Sequence, residues 1–191
     1  MLSIETDAFR YIDAVLSSAQ WHELDSIVAQ IEEKKVALER VMTGVNKLRD
    51  VKVSLHLHRF IVRENGLSKV TDSPYAKSVI RILGDSPLGD RVTEIAGRPV
   101  TVLRMQLNIM REGDFISEHT DKASDDAYVC TVLIRTASSY TGGDLTIYDV
   151  QDKPHRIRQP NHSILAMGVN CVHKVDPIIS GFRRTITLFY G

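Results

Sequence analysis

Cysteine is scarce in this chain of 191 residues, which contains only Cys130 and Cys171. Two thiols cannot complete a structural zinc site alone, and both lie in apolar runs, so we expect buried, reduced side chains. The chain also lacks an apolar run long enough to span a bilayer. Its first residues, MLSIETDAFR, carry acids where a signal peptide has a basic region. These absences predict a cytoplasmic protein that does not act in a membrane.

An excess of charge of one sign is equally absent. The chain has 24 basic residues (Lys and Arg) and 24 acidic residues (Asp and Glu), so no basic field indicates a nucleic-acid partner. Apolar residues make up 43% of the chain and charged residues 25%, which is typical of a globular domain. Repeats, low-complexity segments and a clear linker are missing. We therefore predict one domain over residues 1–191.

The two halves of the chain differ in the spacing of their apolar residues. Up to about residue 95 the apolar spacing is mainly helical, with helices predicted over about 6–16, 22–31 and 73–84. One alternating segment in this half, VKVSLHLHRF (51–60), predicts a strand. From about residue 98 onward, six or more short apolar segments are separated by turn residues, which is typical of a β-sandwich or barrel. The prediction is an α+β fold with N-terminal helices on one face of a C-terminal β core.

The first strand of the β half has two contrasting faces. Apolar side chains occupy the odd positions from 103 to 109, and Arg104, Gln106 and Asn108 occupy the even positions. Because successive side chains of a strand point to opposite sides, the polar residues share one face. From this strand alone, a polar face that meets solvent is favoured. A polar-lined cavity is favoured only if the end of the strand carries chemistry.

The segment EHTDK (118–122) follows that strand and places His119 and Asp121 two residues apart. On an extended segment this spacing directs both side chains to the same side, where a nitrogen and a carboxylate oxygen can share a metal ion. Two histidines and one carboxylate on one face of an octahedron are typical of non-haem Fe(II) oxygenases. Six other histidines could supply the third ligand. His173 stands out because a turn and a final strand with two arginines follow it.

Four segments, in this order, are similar to a known family: GDFISEHTD (113–121), CTVLIRT (130–136), YTGGDL (140–145) and HKVDPIISGFRRTITLFY (173–190). Together they make the C-terminal half resemble the Fe(II)/2-oxoglutarate-dependent dioxygenases of the prolyl 4-hydroxylase-like type. The resemblance implies a double-stranded β-helix, or jelly roll, with the metal at its mouth. It also implies Fe(II), the co-substrate 2-oxoglutarate and O₂, with ascorbate as an optional reductant.

The resemblance assigns roles to individual residues. It implies that His119, Asp121 and His173 hold the iron and that Arg183, not its neighbour Arg184, pairs with the distal carboxylate of 2-oxoglutarate. A guanidinium group matches a carboxylate with two parallel hydrogen bonds.

Further site residues are predicted from the strand faces. Many relatives carry a tyrosine hydroxyl for the co-substrate where this chain has Met110, and a thioether cannot donate that hydrogen bond. Thr187, on the same face as Arg183, is a candidate to bind 2-oxoglutarate, and Asn108, Thr131 or Arg135 could replace the missing tyrosine. The candidates for binding the primary substrate are Arg104, Gln106 and Arg135.

These residues predict a dioxygenase that hydroxylates an unactivated C–H bond of a small polar molecule, such as a free amino acid or a related carboxylate. A hydroxylase of prolyl or other side chains in peptides and proteins is the alternative within the same class. A non-catalytic, cupin-like metal-binding module is the alternative of another class, although cupins use more histidines around the metal and lack the sequence context of Arg183.

Overall fold

The computed structural model of the protein describes residues 8–42 and 51–191. Within these residues it has three α-helices: α1 (Ser18–Lys34), α2 (Ala76–Gly84) and α3 (Leu88–Ala96). The strands are β1 (Phe9–Tyr11), β2 (Glu39–Met42), β3 (Val53–Glu64), β4 (Leu67–Val70), β5 (Val102–Arg111), β6 (Phe115–His119), β7 (Cys130–Arg135), β8 (Tyr140–Gly142), β9 (Leu145–Tyr148), β10 (Pro154–Ile157), β11 (Ser163–Gly168), β12 (His173–Val175) and β13 (Ile178–Tyr190). In the described part of the chain, no helix is long and apolar enough to cross a membrane.

One curled antiparallel sheet forms the body of the molecule. Its strand order is β1-β11-β7-β13-β5-β3-β6-β12-β9-β10, while β2 and β4 pair with β3 and β8 pairs with β13. The 13-residue strand β13 connects two parts of the curl, because its first residues pair with β8 and the rest lies between β5 and β7. The sheet therefore wraps around an interior, as the predicted jelly roll requires.

The outer face of the strands β5 and β13 is covered by the helices. Met105, Leu107 and Ile109 of β5 share one apolar cluster with Ile186 and Leu188 of β13. The same cluster contains the buried residues of the helices, which are Leu24, Ile27, Val28, Ile31, Ala76, Val79, Ile82, Leu83, Leu88, Val92 and Ile95. Burial of this apolar surface holds the helices on one face of the sheet, as the sequence predicts.

The inner face of the same strands is polar and buried. Gln106, Asn108, Arg183, Thr185 and Thr187 are each at most 9% exposed. Of the two interpretations of the polar face of β5, the cavity is confirmed, because the strands curl and close around that face.

The N-terminal half contains more β structure than its apolar spacing predicts. The helix predicted over about 6–16 is wrong for the described residues, because Phe9–Tyr11 form β1, which pairs with β11 in the register Phe9↔Met167. A free edge of β11 provides the backbone hydrogen bonds there, and the positive φ of Ala14 (56°) is incompatible with a continuous helix. Residues 6 and 7 lie outside the described residues. The strand predicted over 51–60 is confirmed by β3.

Candidate metal and co-substrate site

Two side chains that are close in the sequence and a third that is distant from them meet where β6 and β12 pair. His119 ends β6, Asp121 begins a short 3₁₀ turn, and His173 begins β12 directly opposite His119. Nε2 of His119 lies 3.6 Å from Oδ1 of Asp121, and Nε2 of His173 lies 3.8 Å from Oδ2. One ligand atom from each residue lies within 4.8 Å of the others. The three predicted ligands are thus close enough to share one metal ion.

The second nitrogen of each imidazole has a backbone partner. Nδ1 of His119 lies 2.9 Å from the carbonyl oxygen of Ser117, and Nδ1 of His173 lies 3.0 Å from that of Cys171. A carbonyl oxygen only accepts, so each Nδ1 carries the hydrogen, and in the neutral form of each ring Nε2 has a free lone pair. Fixing the tautomer in this way is typical of histidines that bind metals.

The charges at the triad suit a metal ion. Burial alone would raise the pKa of the Asp121 carboxyl, but His173, His119 and the hydroxyl of Thr131 outweigh it and hold the pKa at about 2. Thr131 donates its hydroxyl hydrogen to Oδ2 of Asp121 over 2.6 Å. Burial lowers the pKa of His173, whereas the Asp121 carboxylate outweighs burial at His119 and raises the pKa of that imidazole. At neutral pH, Asp121 is therefore an anion and His173 a neutral imidazole.

Arg183 lies on the inner wall of the same cavity. It is 4% exposed, and its Nε has no hydrogen-bond partner. Its Nη1 lies 3.8 Å from the Met110 sulfur, which faces it across the strands in the register Arg183↔Met110. Arg184 points the other way, to the helices, where its Nε donates to Glu32 over 2.8 Å. The two arginines therefore have different environments although they are adjacent in the sequence.

The predicted amides and hydroxyls form a chain along the cavity wall. Gln106 donates to the Asn108 side-chain oxygen over 3.0 Å, and Asn108 donates to the Thr187 hydroxyl over 3.2 Å. The side-chain oxygen of Gln106 is buried without a partner. Thr131 is tied instead to Asp121, next to the triad. Asn108 and Thr187 thus lie together, whereas the hydrogen of the Thr131 hydroxyl is already used by a predicted metal ligand.

The cavity that contains these groups has a volume of about 580 Å³. Four arginines line it: Arg40, Arg59, Arg104 and Arg183. Arg40 pairs with Asp114 at 2.7 Å and Arg59 with Glu39 at 3.2 Å. Arg104 lies over the Phe189 ring, 5.2 Å from its centroid, and no carboxylate of residues 8–42 or 51–191 is within ion-pair distance of it. The cavity therefore offers two cations without an anionic partner, at Arg104 and Arg183.

Arg135, predicted as a substrate contact, lies behind the wall of this cavity. It is fully buried, and its Nη1 donates to the Thr185 hydroxyl over 3.0 Å and to the Arg184 carbonyl over 2.9 Å. Thr185 itself lines the cavity. Arg104 and Gln106, the other two predicted substrate contacts, do reach the cavity.

Tyr140 lies beside Arg135, and its position in the segment YTGGDL (140–145) does not predict this contact. It begins β8, and its ring lies under the Arg135 guanidinium at 4.5 Å. Its hydroxyl interacts with Arg135 and Arg183 and opposes the lowering of their pKa values by burial. The sequence signal was only its position before the Gly142–Gly143 turn, which does not tell a packing tyrosine from a site tyrosine.

Comparison with known proteins gives matches at the level of structure. No protein-family model and no curated protein matches the sequence. A 2OG-Fe(II) oxygenase family protein from Burkholderia pseudomallei superposes with a TM-score of 0.81 at 18% identity, over 96% of this chain and 85% of that one. The fold is that of a 2OG-Fe(II) oxygenase. The jelly roll predicted from the sequence is confirmed.

Two further solved structures share this oxygenase fold. A prolyl hydroxylase from Trichoplax adhaerens, in complex with a hypoxia inducible factor peptide fragment, has a TM-score of 0.72 at 19% identity, over 98% of this chain and 84% of that one. EctD from S. alaskensis, with 2-oxoglutarate and 5-hydroxyectoine, has a TM-score of 0.71 at 11% identity, over 99% of this chain and 73% of that one. The fold is thus shared with proteins that bind ligands of very different size.

Proposed function

We propose that the protein is an Fe(II)- and 2-oxoglutarate-dependent dioxygenase that hydroxylates an unactivated C–H bond of a small polar substrate, such as a free amino acid or a related carboxylate. One observation carries the proposal: the His119, Asp121 and His173 triad and the unpaired guanidinium of Arg183 face the same cavity. A dicarboxylate that chelates a metal with one end and binds a cation with the other end needs that arrangement.

The residues present fit both groups. Two neutral imidazoles and one carboxylate are the donor set of non-haem Fe(II) oxygenases. A buried guanidinium nitrogen without a partner is costly, and a ligand carboxylate removes that cost by accepting its hydrogen. Iron with 2-oxoglutarate and O₂ supplies the oxidation: the co-substrate is converted to succinate and CO₂, and one oxygen atom enters the substrate C–H bond.

The protein's own contribution is binding, orientation and exclusion of water. The Ser117 and Cys171 carbonyls hold the imidazoles, and Thr131 holds the Asp121 carboxylate through its hydroxyl hydrogen. Arg183 fixes the distal end of 2-oxoglutarate and so determines how its other end meets the metal. The apolar residues that surround the cavity exclude water, which strengthens each of these charge interactions.

Arg104 supports an acidic substrate. Burial lowers the pKa of Arg104 while the Tyr128 hydroxyl raises it, and its cation faces the cavity without a carboxylate partner in the described chain. A carboxylate on the substrate supplies that missing partner. The cavity volume of about 580 Å³ lies within the range of roughly 300–1,000 Å³ that is usual for pockets that bind small molecules.

The test is succinate formation with Fe(II), ascorbate and 2-oxoglutarate, screened over a library that pairs free amino acids and other carboxylic acids with their amides. We expect acids to stimulate succinate release more than their amides. If only peptides stimulate succinate release, the proposal of a small substrate is wrong and the substrate is a peptide. If the metal-bound protein does not turn over 2-oxoglutarate under any condition, the enzyme proposal is wrong and a cupin-like metal-binding module takes its place.

A further inference from the structure

A second buried guanidinium lies next to the proposed co-substrate site. Arg135 on β7 is directly opposite Thr185 on β13, and Arg183 is two residues from Thr185 on the same face. Diagonal neighbours on one face of a sheet lie within reach of long side chains. Arg135 is 0% exposed and Arg183 is 4% exposed. Two cations are therefore buried side by side.

The described residues do not neutralise this pair. Neither arginine forms an ion pair within residues 8–42 and 51–191, and three of their nitrogens lack any partner: Nε and Nη2 of Arg135 and Nε of Arg183. Asp144 is the acid that acts on Arg183, but Arg156 and Arg158 bind its carboxylate at 2.8 and 2.7 Å. Buried like charges without an anion are strongly unfavourable, which indicates a missing ligand.

Arg135 also determines which atom Thr185 presents to the cavity. The Thr185 oxygen accepts a hydrogen bond from Nη1 of Arg135 over 3.0 Å, so its own hydroxyl hydrogen is free to donate elsewhere. Thr185 lines the cavity next to Arg183. The hydroxyl of Tyr140 interacts with both guanidinium groups from the side of β8. The Thr185 and Tyr140 hydroxyls lie where Met110 has only a thioether, which cannot donate a hydrogen bond.

We propose that Arg135 is a positioning residue for the distal carboxylate of the co-substrate: it supplies a second positive charge and directs the Thr185 hydroxyl to that carboxylate, replacing the donor that Met110 lacks. This inference rests on the proposed function. Its consequence is strict selection for a 2-oxo acid with a negative charge at its far end. Burial, reinforced by Arg183, lowers the pKa of Arg135 to about 9, so its guanidinium group remains charged at neutral pH.

The test measures ligand binding without turnover, by calorimetry and thermal shift on Mn(II)-loaded protein. The ligands are 2-oxoglutarate and 2-oxopentanoate, which has a methyl group in place of the distal carboxylate. We expect Arg135→Met to weaken 2-oxoglutarate binding about tenfold or more and to leave the weak binding of 2-oxopentanoate unchanged. Arg135→Lys, which keeps the charge, should recover part of the loss.

Stability separates this role from a structural one. Because Arg135 is an unneutralised buried cation, the ligand-free Arg135→Met protein should melt at the same temperature as the wild type or higher. Arg158→Met is the matched control, since Arg158 lies 5.2 Å from the same Tyr140 ring but is neutralised by Asp144. We expect Arg158→Met to bind 2-oxoglutarate like the wild type.

Three results would overturn the assignment. If the wild type binds 2-oxoglutarate and Arg135→Met binds it equally well, Arg135 has no positioning role, and the proposed function is unaffected. A large fall in the melting temperature of ligand-free Arg135→Met, with equal losses for both ligands, makes Arg135 structural. Failure of the wild type itself to bind 2-oxoglutarate overturns the proposed function and this inference with it.

Discussion

The two faces of β5 and β13 are both buried but differ in how their polar groups are satisfied. On the helix side, His58 is fully buried and both ring nitrogens have partners at 2.8 Å, the Val36 carbonyl and the Ser73 hydroxyl. On the cavity side, the Gln106 oxygen and nitrogens of Arg135 and Arg183 have none. Both faces exclude water, so burial alone does not locate the site. Among the described residues, buried polar atoms without a partner are concentrated on the cavity side, at Gln106, Arg135 and Arg183, although Thr136 and Gln159 each have one away from the cavity lining.

Substitutions on the two faces should differ most in their effect on activity at the triad residues and at His58. Replacing His119, Asp121 or His173 with alanine should abolish Fe(II)-dependent succinate formation, because each change removes a proposed metal ligand at the cavity. The loss of stability should be small. His58→Ala is the matched variant: it should lower the stability by about 1–3 kcal/mol, since it leaves buried groups without partners, and retain turnover at a temperature where it is folded. The measurements are succinate release and thermal unfolding. Wild-type activity in two of the three alanine variants of the triad would refute the metal site.

The adjacent arginines of β13 sharpen the comparison between the two faces. Arg183→Ala should raise the KM for 2-oxoglutarate about ten- to a hundredfold, because a buried carboxylate loses its charged partner. Arg184→Ala should leave that KM unchanged and reduce the stability by about 1.5–3 kcal/mol, since it breaks the partly buried ion pair with Glu32 on α1. Steady-state kinetics and denaturant unfolding separate the two outcomes. A reversed result would mean that the register of β13 is shifted by one residue.

Strand periodicity explains why so much of this site could be predicted from the sequence. The alternation in 101–110 separated the polar from the apolar face, and the spacing in EHTDK placed His119 and Asp121 on one side. What closes over the polar face depends on pairings distant in sequence, such as β3 with β6 and β12 with β9. Local alternation carries no signal for those pairings, so the sequence alone does not show whether the polar face of β5 meets solvent or lines a cavity.

The errors have equally physical causes. Phe9–Tyr11 join the sheet only because β11 presents an unpaired edge, which a local apolar pattern cannot show. Tyr140 was missed because the approach of β8 to β13 depends on Gly181, where an added Cβ would overlap the Ser139 carbonyl. The contact that places Tyr140 near the arginines thus joins segments about forty residues apart, and turn residues alone do not predict it.

Arg104 tests whether the second unpaired cation of the cavity serves the substrate. Arg104→Gln should raise the KM for an acidic substrate about tenfold and remove the preference for acids over amides, because the carboxylate loses its charged partner. Succinate formation without substrate and the melting temperature should stay near wild type. Arg59→Gln is the control on the same cavity wall, since Glu39 already pairs with Arg59. A large fall in melting temperature for Arg104→Gln would make Arg104 a scaffold residue.

Met110 is expected to give the smallest effect on the cavity face. Its sulfur lies 3.8 Å from Nη1 of Arg183, but a thioether is a weak acceptor and cannot neutralise a guanidinium group. Met110→Leu preserves the volume, so it should change the stability by less than about 1.5 kcal/mol and leave the KM for 2-oxoglutarate within error of wild type. Steady-state kinetics and thermal unfolding provide the check. A rise in KM comparable to that of Arg183→Ala would mean that the sulfur orients Arg183, and that the unpaired Nε does not by itself mark the place of the co-substrate.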